Sequence, residues 1–397
     1  MSEWKEIRLG DLIEVKYGKD HKKIGYGAIP IYGSGGIMRT GDLSLYDQPS
    51  VLIPRKGTLS NIFYVDTPFW TVDTMFWTKI NTDRVLPKFL YYSIKDYKWD
   101  SLNVGSAVPS LTVPVIEGVS INLPSLEIQK KIVDQLSEID DKIAVNKKIC
   151  ENLEAQAQAL FKHWFVDFAP FKDSKFVESE LGLIPEGWRV GTYDDIIQDT
   201  ISGDWGKEKP EGNYTHKVAC IRGCDFQDVK MGLRGKTPER YILEKNYNSK
   251  HFNDKDVLVE ISGGTATVST GRICPVSQLL IDKYNGDIVC TNFCRLVRPC
   301  LGYSSYLYYS WKYKYDRKVM FGYENGTSGI KNFSIKDFTS REPLIIPRLS
   351  DLQIFEDMVE HIHTHIQNMG SESAKLATLR DTLLPKLMSG YLKIDKL

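Results

Sequence analysis

Three histidines stand at every second position near the C-terminus and could suggest a metal site. They are His361, His363 and His365. In a helix only His361 and His365 would share a face, because neighbours on a helix surface are three or four residues apart. Solvated histidines are therefore the favoured interpretation, and a metal site is the weaker alternative.

Two pairs of cysteines have the same spacing and could suggest a zinc site. Cys220 with Cys224 and Cys290 with Cys294 each enclose three residues, whereas the cysteine pairs of structural zinc sites usually enclose two. Both pairs lie in apolar, strand-like segments, where a cysteine packs as a small hydrophobic residue. We therefore expect no bound metal and no cofactor.

Motifs for stand-alone catalysis are missing from the sequence. The chain has no GxxxxGK[ST] phosphate loop and no Asp/Asn-Pro-Pro-aromatic tetrapeptide of the kind found in adenine methyltransferases. The segment DKDVLVEIS (254–262) offers acids beside a strand, as nucleases do. However, Ser262 stands where a nuclease would carry a lysine after Glu260. A non-catalytic chain is predicted, and a stand-alone nuclease remains an alternative.

Glycine, arginine and lysine are interleaved in several segments of the first half. Glycine lets backbone amides approach a phosphate, and basic side chains contact phosphates or base edges. The segments are YGKDHKK (17–23), GSGGIMRTGD (33–42), PRKGTLSN (54–61) and GSAVPSLTV (105–113). The candidate DNA-contacting residues here are Lys19, Lys22, Gly35, Gly36, Arg39, Arg55, Lys56, Thr58, Asn61 and Ser106.

Similar segments occur in the second half, namely IRG (221–223), SGGT (262–265), WKYKYDRK (311–318) and ENGTSGIKN (324–332). Solvated loops that join strands are the alternative interpretation of all these segments. Arginine and asparagine are the better candidates for base contacts. The candidates here are Arg222, Gly264, Thr265, Asn325, Thr327, Ser328 and Lys331.

Composition places the chain among folded proteins of more than one domain. It has 397 residues, is 42% hydrophobic and 26% charged, and has no net charge. The zero net charge removes the simplest argument for nucleic-acid binding but allows a basic face. No apolar run is long enough to cross a bilayer, and MSEWKEIRLGDL lacks the apolar region of a signal peptide. We expect a cytoplasmic protein without a membrane partner; seven cysteines suit a reducing compartment.

Two segments of the sequence share one heptad pattern. Pro124-x-Leu126 and Pro347-x-Leu349, 223 residues apart, each open a heptad pattern of about five repeats in the same phase. The first pattern runs through Ile132, Leu136, Ile139, Ile143, Asn146, Cys150, Leu153, Ala157, Leu160 and Trp164. The second runs through Phe355, Val359, Ile362, Ile366, Met369, Ser373, Leu376, Arg380, Leu383 and Leu387. Two long helices that pair through these residues are predicted.

The segments before each helix also correspond. WKEIRLGDLIEVKYG (4–18) matches WRVGTYDDIIQDTISG (188–203), and FLYYSIKDYK (89–98) matches YLYYSWKYKY (306–315). Short strands are predicted in VLIPRKG, NIFYV, DVLVEIS and DIVCTNFCRLV, and short helices in PKFLYYSIKDYK and SSYLYYSWKYKYDRK. The fold class is α+β, with two mixed α/β domains separated by two long antiparallel coiled-coil helices in a pseudo-twofold repeat. A buried Asn146 would fix the register of such a pair, and a solvated Asn146 is the alternative.

Several stretches resemble the DNA-specificity subunit of type I restriction-modification systems. They are EIQKKIVDQLSEIDDKI, AQALFKHWFVDFAPF, LGLIPEGW and LRDTLLPKLMSGYL. The resemblance covers essentially the whole chain and is most specific in the helices and the linker. One departure is Pro385, which has no counterpart in the first helix. Because proline breaks helices, we expect the second helix to break near Leu384.

The resemblance implies a function. Each globular domain reads one half of a bipartite, gapped site in double-stranded DNA, and the paired helices set the spacer. The helices also dock two modification (adenine methyltransferase) subunits, which restriction subunits join. The corresponding boundaries are 1–123 for the first target-recognition domain, 124–168 for the first helical region, 169–187 for a linker, 188–346 for the second domain and 347–390 for the second helical region.

Two questions stay open at the level of sequence. A coiled-coil adaptor without DNA readout is the second alternative to the specificity subunit. The outer faces of the helices could meet DNA or protein, and these carry Lys130, Lys131, Lys142, Lys147 and Lys148.

Overall fold

The computed structural model describes residues 4–265, 267–326 and 331–391. The chain folds into two compact units, one within residues 1–141 and 376–397 and the other within residues 142–375. Candidates Thr327 and Ser328 lie outside the described residues.

The first unit begins with short strands, continues with two short helices and ends in a long one. The strands are β1 (Lys5–Arg8), β2 (Ile13–Tyr17), β3 (Ile29–Gly33), β4 (Gly36–Gly41), β5 (Ser50–Pro54), β6 (Phe63–Val65), β7 (Trp70–Thr71), β8 (Met75–Ile80) and β9 (Ser120–Leu123). The helices are α1 (Pro87–Ile94), α2 (Val113–Glu117) and α3 (Leu126–Phe165), of which α3 continues into the second unit.

Three sheets form the first unit. A four-stranded sheet has the order β2-β8-β5-β6, a three-stranded sheet has the order β4-β3-β7, and β1 pairs with β9. The β3–β7 pair is parallel. Every residue of β5 is buried, as expected for a strand between two neighbours. Val51 and Ile53 of β5 pack with Phe89 and Leu90 of α1, so the helix covers this sheet.

The second unit is larger. Its strands are β10 (Phe176–Ser179), β11 (Gly182–Pro185), β12 (Arg189–Thr192), β13 (Ile197–Ser202), β14 (Tyr214–Ile221), β15 (Glu239–Leu243), β16 (Val257–Glu260), β17 (Ser262–Gly263), β18 (Ile273–Pro275), β19 (Ile288–Cys290), β20 (Cys294–Pro299), β21 (Glu324–Asn325), β22 (Lys331–Phe333) and β23 (Pro343–Ile346). Its helices are α4 (Phe226–Lys230), α5 (Glu244–Lys250), α6 (Gln278–Asp282), α7 (Ser304–Asp316), α8 (Ile335–Arg341) and α9 (Leu349–Met388).

The sheets of the second unit have the same arrangement as those of the first. A four-stranded sheet has the order β13-β20-β16-β18, a three-stranded sheet has the order β15-β14-β19, and β12 pairs with β23. The β14–β19 pair is parallel, like β3–β7. The added elements include α5, α6 and a small sheet of order β17-β22-β21. The α+β class with two long helices is confirmed, and the strands and short helices predicted from sequence are present.

Within the first unit, the start of α3 lies against the end of α9. Ile132 and Leu136 share one apolar core with Leu384 and Leu387. Arg380, the charged exception in the second heptad pattern, donates from Nη1 to Asp140 Oδ1 at 2.8 Å. A seam position that holds an arginine is therefore satisfied by an acid on the facing helix.

Within the second unit, the end of α3 lies against the start of α9. The rings of Phe165 and Phe355 are 4.9 Å apart and nearly perpendicular, a favourable arrangement for aromatic pairs. Asn146 is fully buried and donates from Nδ2 to Glu372 Oε2 at 2.8 Å and Ser373 Oγ at 3.3 Å. These bonds cross from one helix to the other, so a shift in register would leave a buried amide unpaired.

The expected helix break near Leu384 is wrong, because α9 continues through Pro385 to Met388. Pro385 lacks the N–H that would bond to the carbonyl of residue i−4, and its ring crowds that carbonyl, but the helix ends soon afterwards at Met388. Leu384 and Leu387 on either side are 3% and 1% exposed, and Ser389 N donates to Pro385 O at 3.1 Å. Burial of the two leucines offsets the missing bond.

Candidate nucleic-acid interface

In the first unit, loops that are distant in sequence meet beyond the strand ends. Asn61 Nδ2 donates to Ser34 O at 2.7 Å, which joins the loop after β5 to the loop after β3. Gly57 N donates to Pro109 O at 3.0 Å and Leu111 N to Arg55 O at 2.9 Å, which join the same loop to the segment before α2. We call the loops 19–25, 33–39, 55–61, 72–74 and 103–110 the first loop surface.

This surface gathers the basic and glycine-rich candidates of the first half. The exposed candidates are Lys19, Lys22, Gly35, Lys56, Thr58 and Ser106, and the half-buried ones are Gly36, Arg39, Arg55 and Asn61. Lys22 and Gly35 line one shallow cleft with Asp73 and Thr74. Within the described part of the chain, the ammonium groups of Lys19, Lys22 and Lys56 form no ion pair. They are free to meet an anion.

Arg39 is placed differently from the lysines. Its guanidinium donates to His21 O at 2.6 Å, to Ile24 O at 3.0 Å and to Gly25 O at 3.3 Å. These bonds hold the loop after β2, so the arginine shapes the surface instead of reaching out of it. Arg55 is freer, with one bond to Asp73 O at 3.2 Å and its guanidinium 5.2 Å from the Tyr17 ring.

The corresponding loops of the second unit form a cleft of another character. We call the loops 203–205, 222–223, 262–265 and 291–293 the second loop surface. The cleft is lined by Trp205, Arg222, Gly223, Ser262, Thr291, Asn292 and Phe293. Phe293 is 63% exposed and Trp205 37% exposed. Large exposed aromatic side chains beside free polar groups are typical of recognition surfaces.

The basic candidates of the second half are bound by acids of the protein, unlike the lysines of the first half. Arg222 donates to both carboxylate oxygens of Asp225, at 3.0 and 3.2 Å, and to Lys236 O at 2.7 Å. The hydrogen bond to Asp225 raises the pKa of Arg222. Lys331 Nζ donates to Glu324 Oε2 at 2.8 Å. These two cations are therefore neutralised by protein acids.

The remaining candidates of this half lie at the edge of the cleft or beyond it. Gly264 is half-buried and Thr265 is exposed, and Thr265 N donates to Val268 O at 2.7 Å. Asn325 is exposed at the end of β21. Of the second-half candidates, Arg222 lines the aromatic cleft itself.

Equivalent backbone hydrogen bonds hold the loops of the two loop surfaces in place. Four bonds of the first unit have a counterpart in the second, joining equivalent strands and loops. In the first unit the bonds are Val72 N to Tyr32 O (3.0 Å), Met75 N to Val72 O (3.0 Å), Arg55 N to Thr74 O (2.8 Å) and Leu111 N to Arg55 O (2.9 Å). Their counterparts in the second unit, in the same order, are Thr291 N to Ile221 O (3.0 Å), Cys294 N to Thr291 O (2.9 Å), Ile261 N to Phe293 O (2.8 Å) and Phe333 N to Ile261 O (2.8 Å).

A pair of glycines repeats the correspondence. A Cβ atom on Gly18 would lie 2.0 Å from Val72 O, and one on Gly203 would lie 2.0 Å from Thr291 O. No side chain fits at such a distance, so both loops need glycine at this point. These bonds and contacts equate Asp73–Thr74 with Asn292–Phe293, and Lys56 with Ser262.

Sequence reasoning missed Trp205, Asn292, Phe293 and Asp73. The candidates predicted from sequence came from segments rich in glycine and basic residues, and these four residues are neither glycine nor basic. A usable signal was present in CTNFC (290–294), where an apolar strand is interrupted by Asn-Phe between two cysteines. An aromatic residue in such a turn is exposed by the strand reversal and would have stood out.

The acids of the nuclease alternative are both neutralised. Asp256 accepts two hydrogen bonds from Arg298, each 3.0 Å. Glu260 accepts two from Arg272, at 2.7 and 2.6 Å. Carboxylates committed to arginine in this way are not available as ligands of a catalytic metal. This arrangement favours a structural role for both.

The histidines and cysteines singled out from the sequence lie in different environments: Cys220, Cys290 and Cys294 are buried, and Cys224 is exposed. His361 and His365 are exposed, whereas His363 bonds with the Tyr309 hydroxyl at 2.8 Å. Burial raises the pKa of the Cys220 and Cys294 thiols to about 12. Among the described residues, no group of three or more His, Cys, Asp or Glu side chains is placed to hold a metal ion. In the same part of the chain, no helix is long and apolar enough to cross a membrane.

Comparisons with known proteins show what this chain is similar to. Residues 1–155 match the family model of the type I restriction modification DNA specificity domain. The MjaIX specificity subunit of a type I restriction enzyme from Methanocaldococcus jannaschii is 28% identical over 89% of this chain and 80% of the relative. The HindI specificity subunit from Haemophilus influenzae is 23% identical over 98% of this chain and all of the relative.

A solved structure has the same fold. The crystal structure of a type I restriction-modification S subunit from M. genitalium superposes with a TM-score of 0.53 and 16% identity, covering 97% of this chain and 96% of that one. The resemblance that the sequence indicated is therefore confirmed: residues 1–155 match the model of the type I restriction modification DNA specificity domain, and the chain over nearly its whole length is similar to type I specificity subunits.

Proposed function

We propose that this chain is the sequence-specific DNA-binding subunit of a type I restriction-modification complex. The observation that carries the proposal is the pair of loop surfaces, which share one backbone framework but carry different side chains. A framework used twice with different side chains suits a protein that reads two unlike half-sites of one bipartite DNA site. The chain itself contributes recognition, and its partners contribute catalysis.

The two long helices act as the spacer ruler in this proposal. Contacts within each unit support an antiparallel pairing of α3 and α9. Residue numbers increase along α3 while those of the contacted residues on α9 decrease: Asp140 contacts Arg380, Asn146 contacts Ser373, and Phe165 contacts Phe355. The equal strand orders of the two units support the internal duplication that this proposal includes. The proposal includes the boundaries predicted from the sequence, with target-recognition domains at 1–123 and 188–346 and helical regions at 124–168 and 347–390.

The first loop surface engages DNA mainly through its free lysines. Lys19, Lys22 and Lys56 neutralise phosphates and position the domain, which makes affinity salt-dependent. Gly35 and Gly36 allow the backbone to approach the duplex. A coiled-coil adaptor without DNA readout leaves these unpaired cations without a role.

The partners follow from the same proposal. Two modification subunits dock on the helical regions and methylate the adenines of the site, and restriction subunits join through that core. The names of the relatives identify specificity subunits of restriction enzymes, and specificity without catalysis requires such partners.

Mapping of methylated adenines tests the proposal directly. Cells that express the cognate modification subunit are compared with and without this chain, across the whole genome. We expect a bipartite, gapped motif that depends on the chain. If the complex assembles and no chain-dependent motif is found, the chain does not specify DNA and the adaptor alternative takes over.

The ruler is tested by length. Adding one heptad to α3 and one to α9 at facing positions lengthens the spacer of the methylated motif while both half-sites stay the same. The control is the same seven-residue insertion in the linker 169–187, which leaves the spacer unchanged. An unchanged spacer after the helix insertion contradicts the ruler.

A further inference from the structure

Asn292 and Phe293 form the tip of the turn between β19 and β20, and both side chains are exposed. The backbone of this turn is fixed from several sides. Phe293 N donates to Thr291 Oγ1 at 3.2 Å, Arg295 Nη1 donates to Asn292 O at 3.1 Å, and Ile261 N donates to Phe293 O at 2.8 Å. A rigid backbone that presents an exposed phenyl ring and an amide is preorganised for binding.

The polar groups beside the ring are available to a ligand. Within residues 4–265, 267–326 and 331–391, neither the Asn292 amide nor the Trp205 indole N–H forms a hydrogen bond. Trp205 is held from one side by Arg240, whose guanidinium lies 3.7 Å from the indole ring. The cleft therefore offers hydrogen-bonding groups and apolar ring surface together.

The charges around the cleft argue against a phosphate as its occupant. Arg222 is bound by Asp225 and by Lys236 O. Arg295 donates to Asn292 O and to Cys294 O. Because Arg222, the cation that lines this cleft, is neutralised by Asp225, the cleft suits a neutral base edge better than the DNA backbone.

A base pair of adenine and thymine matches these groups. In the major groove, an asparagine amide bonds to N6 and N7 of adenine in a bidentate manner, and a phenyl ring packs against the 5-methyl group of thymine. Adenine and thymine of one pair present these features on the same major-groove edge. We propose that Asn292 and Phe293 together read one A·T base pair in the half-site of the second unit. This inference rests on the proposed function and names the base chemistry that the second loop surface selects.

Base analogues test the inference on the assembled complex. Binding of the full chain with its modification subunit is measured on duplexes of the mapped motif, in which each thymine of the half-site is replaced in turn by uracil. We expect one position where loss of the methyl group weakens binding about fourfold. Replacing the paired adenine by 7-deazaadenine, which lacks N7, should weaken binding about tenfold.

Variants connect these effects to the two residues. Phe293→Ala should abolish the response to uracil, and Asn292→Ala the response to 7-deazaadenine, because each removes the partner of the missing group. Leu301→Ala and Asn248→Ala are matched controls, since both residues are exposed in the same unit and do not line the cleft. Both controls should respond to the analogues as the wild type does.

The outcomes separate the inference from the proposed function. If a chain-dependent motif exists but no thymine responds to uracil, or the responses survive in both variants, the A·T assignment is overturned and the proposed function stands. A loss of binding in Phe293→Ala without any uracil effect would indicate stacking on an unpaired base and would also overturn the assignment. If no motif is found at all, it is the proposed function that fails.

Discussion

The first and second units place different chemistry on the same scaffold. Ser50 precedes the central strand residue Val51, and its hydroxyl donates to Thr78 O at 2.8 Å. Asp256 precedes the equivalent Val257, and there a carboxylate 1% exposed is held by Arg298. A neutral hydrogen bond in one unit thus corresponds to a buried ion pair in the other. Both units have the same backbone fold, and a buried position accepts different polar side chains as long as each finds a hydrogen-bonding partner.

The loop surfaces differ in the same way. Lys56 of the first surface is equivalent to Ser262 of the second, and Asp73 is equivalent to Asn292. One surface presents free cations and a carboxylate, and the other presents rings and amides. Matched backbone hydrogen bonds keep the loops in place, so recognition groups can change without loss of the fold.

The largest effect is expected from the ion pair. Arg298→Met leaves the Asp256 carboxylate buried without its cation, which should destabilise the second unit by about 3 kcal/mol. Lys79→Met is the matched change at the equivalent place of the first unit, where the lysine is exposed, and should cost less than about 0.5 kcal/mol. Denaturant unfolding of the full chain measures both. Equal small losses would show that the pair does not support the second unit.

The glycine contacts come next. Gly18→Ala and Gly203→Ala each force a Cβ atom against a backbone oxygen, and each should destabilise its unit by about 1–3 kcal/mol. Gly35→Ala is the control, because a Cβ atom there meets nothing within 4 Å. Thermal unfolding of the three variants checks the result. If only one of the two alanine variants is destabilised, the loops are not equivalent.

An exchange at the turn should change base preference in one half-site. Asp73→Asn gives the first surface the amide that the second surface carries at Asn292. A carboxylate accepts from cytosine N4, whereas an amide favours adenine, so one position of the first half-site should shift preference by about tenfold. Methylation mapping with the variant reads out both halves at once. A shift in the second half-site would mean that the surfaces do not act independently.

A smaller effect is expected from a single phosphate contact. Lys56→Ala should weaken binding to all sequences alike and reduce the slope of log affinity against log salt by about one. Ser262→Ala, at the equivalent place of the second surface, should leave the slope unchanged. Titration at several salt concentrations compares the two. An unaltered slope in Lys56→Ala would remove this lysine from the interface.

The smallest effect concerns pH. Burial disfavours the charged form of His216, but hydrogen bonds to Glu244 at 2.7 Å and Asp287 at 3.1 Å outweigh it and raise the pKa. The stabilisation is fully present below the unfolded pKa of about 6.5 and is lost as pH rises through the folded pKa. His216→Gln should therefore cost more stability at pH 5.5 than at pH 8.5. The equivalent strand β3 has no histidine, so unfolding of the first unit serves as an internal control. Equal costs at both pH values would contradict the ion pairs.

Sequence could predict the regular parts because their signals are local. Heptad spacing predicted α3 and α9, and apolar runs predicted β5, β16 and β20. Pro385 was misjudged because the rule against proline is local too, whereas the burial of Leu384 and Leu387 that offsets it is tertiary. Local rules therefore succeed where a repeating pattern agrees with the packing and fail where packing opposes them.

The candidate interface was predictable only in part. Segments rich in glycine and lysine predicted which loops form the first loop surface, because both residue types can be read from the sequence. They did not show that Arg39 binds the loop after β2 or that Arg222 binds Asp225. They also gave no weight to Asn292 and Phe293. Whether a polar side chain is free depends on which acceptors the fold brings within about 3 Å of it.

The repeated segments and the two long helices could be predicted from residue order alone, because periodicity is a property of the sequence. The tertiary contacts determine which cations are free, which acids are neutralised, and that Asp73 and Asn292 lie at the same point of equivalent turns. Those facts depend on contacts between residues distant in sequence, such as Asn61 with Ser34 and Ile261 with Phe293. Such contacts arise when backbone hydrogen bonds and burial are satisfied together, and no local pattern records them.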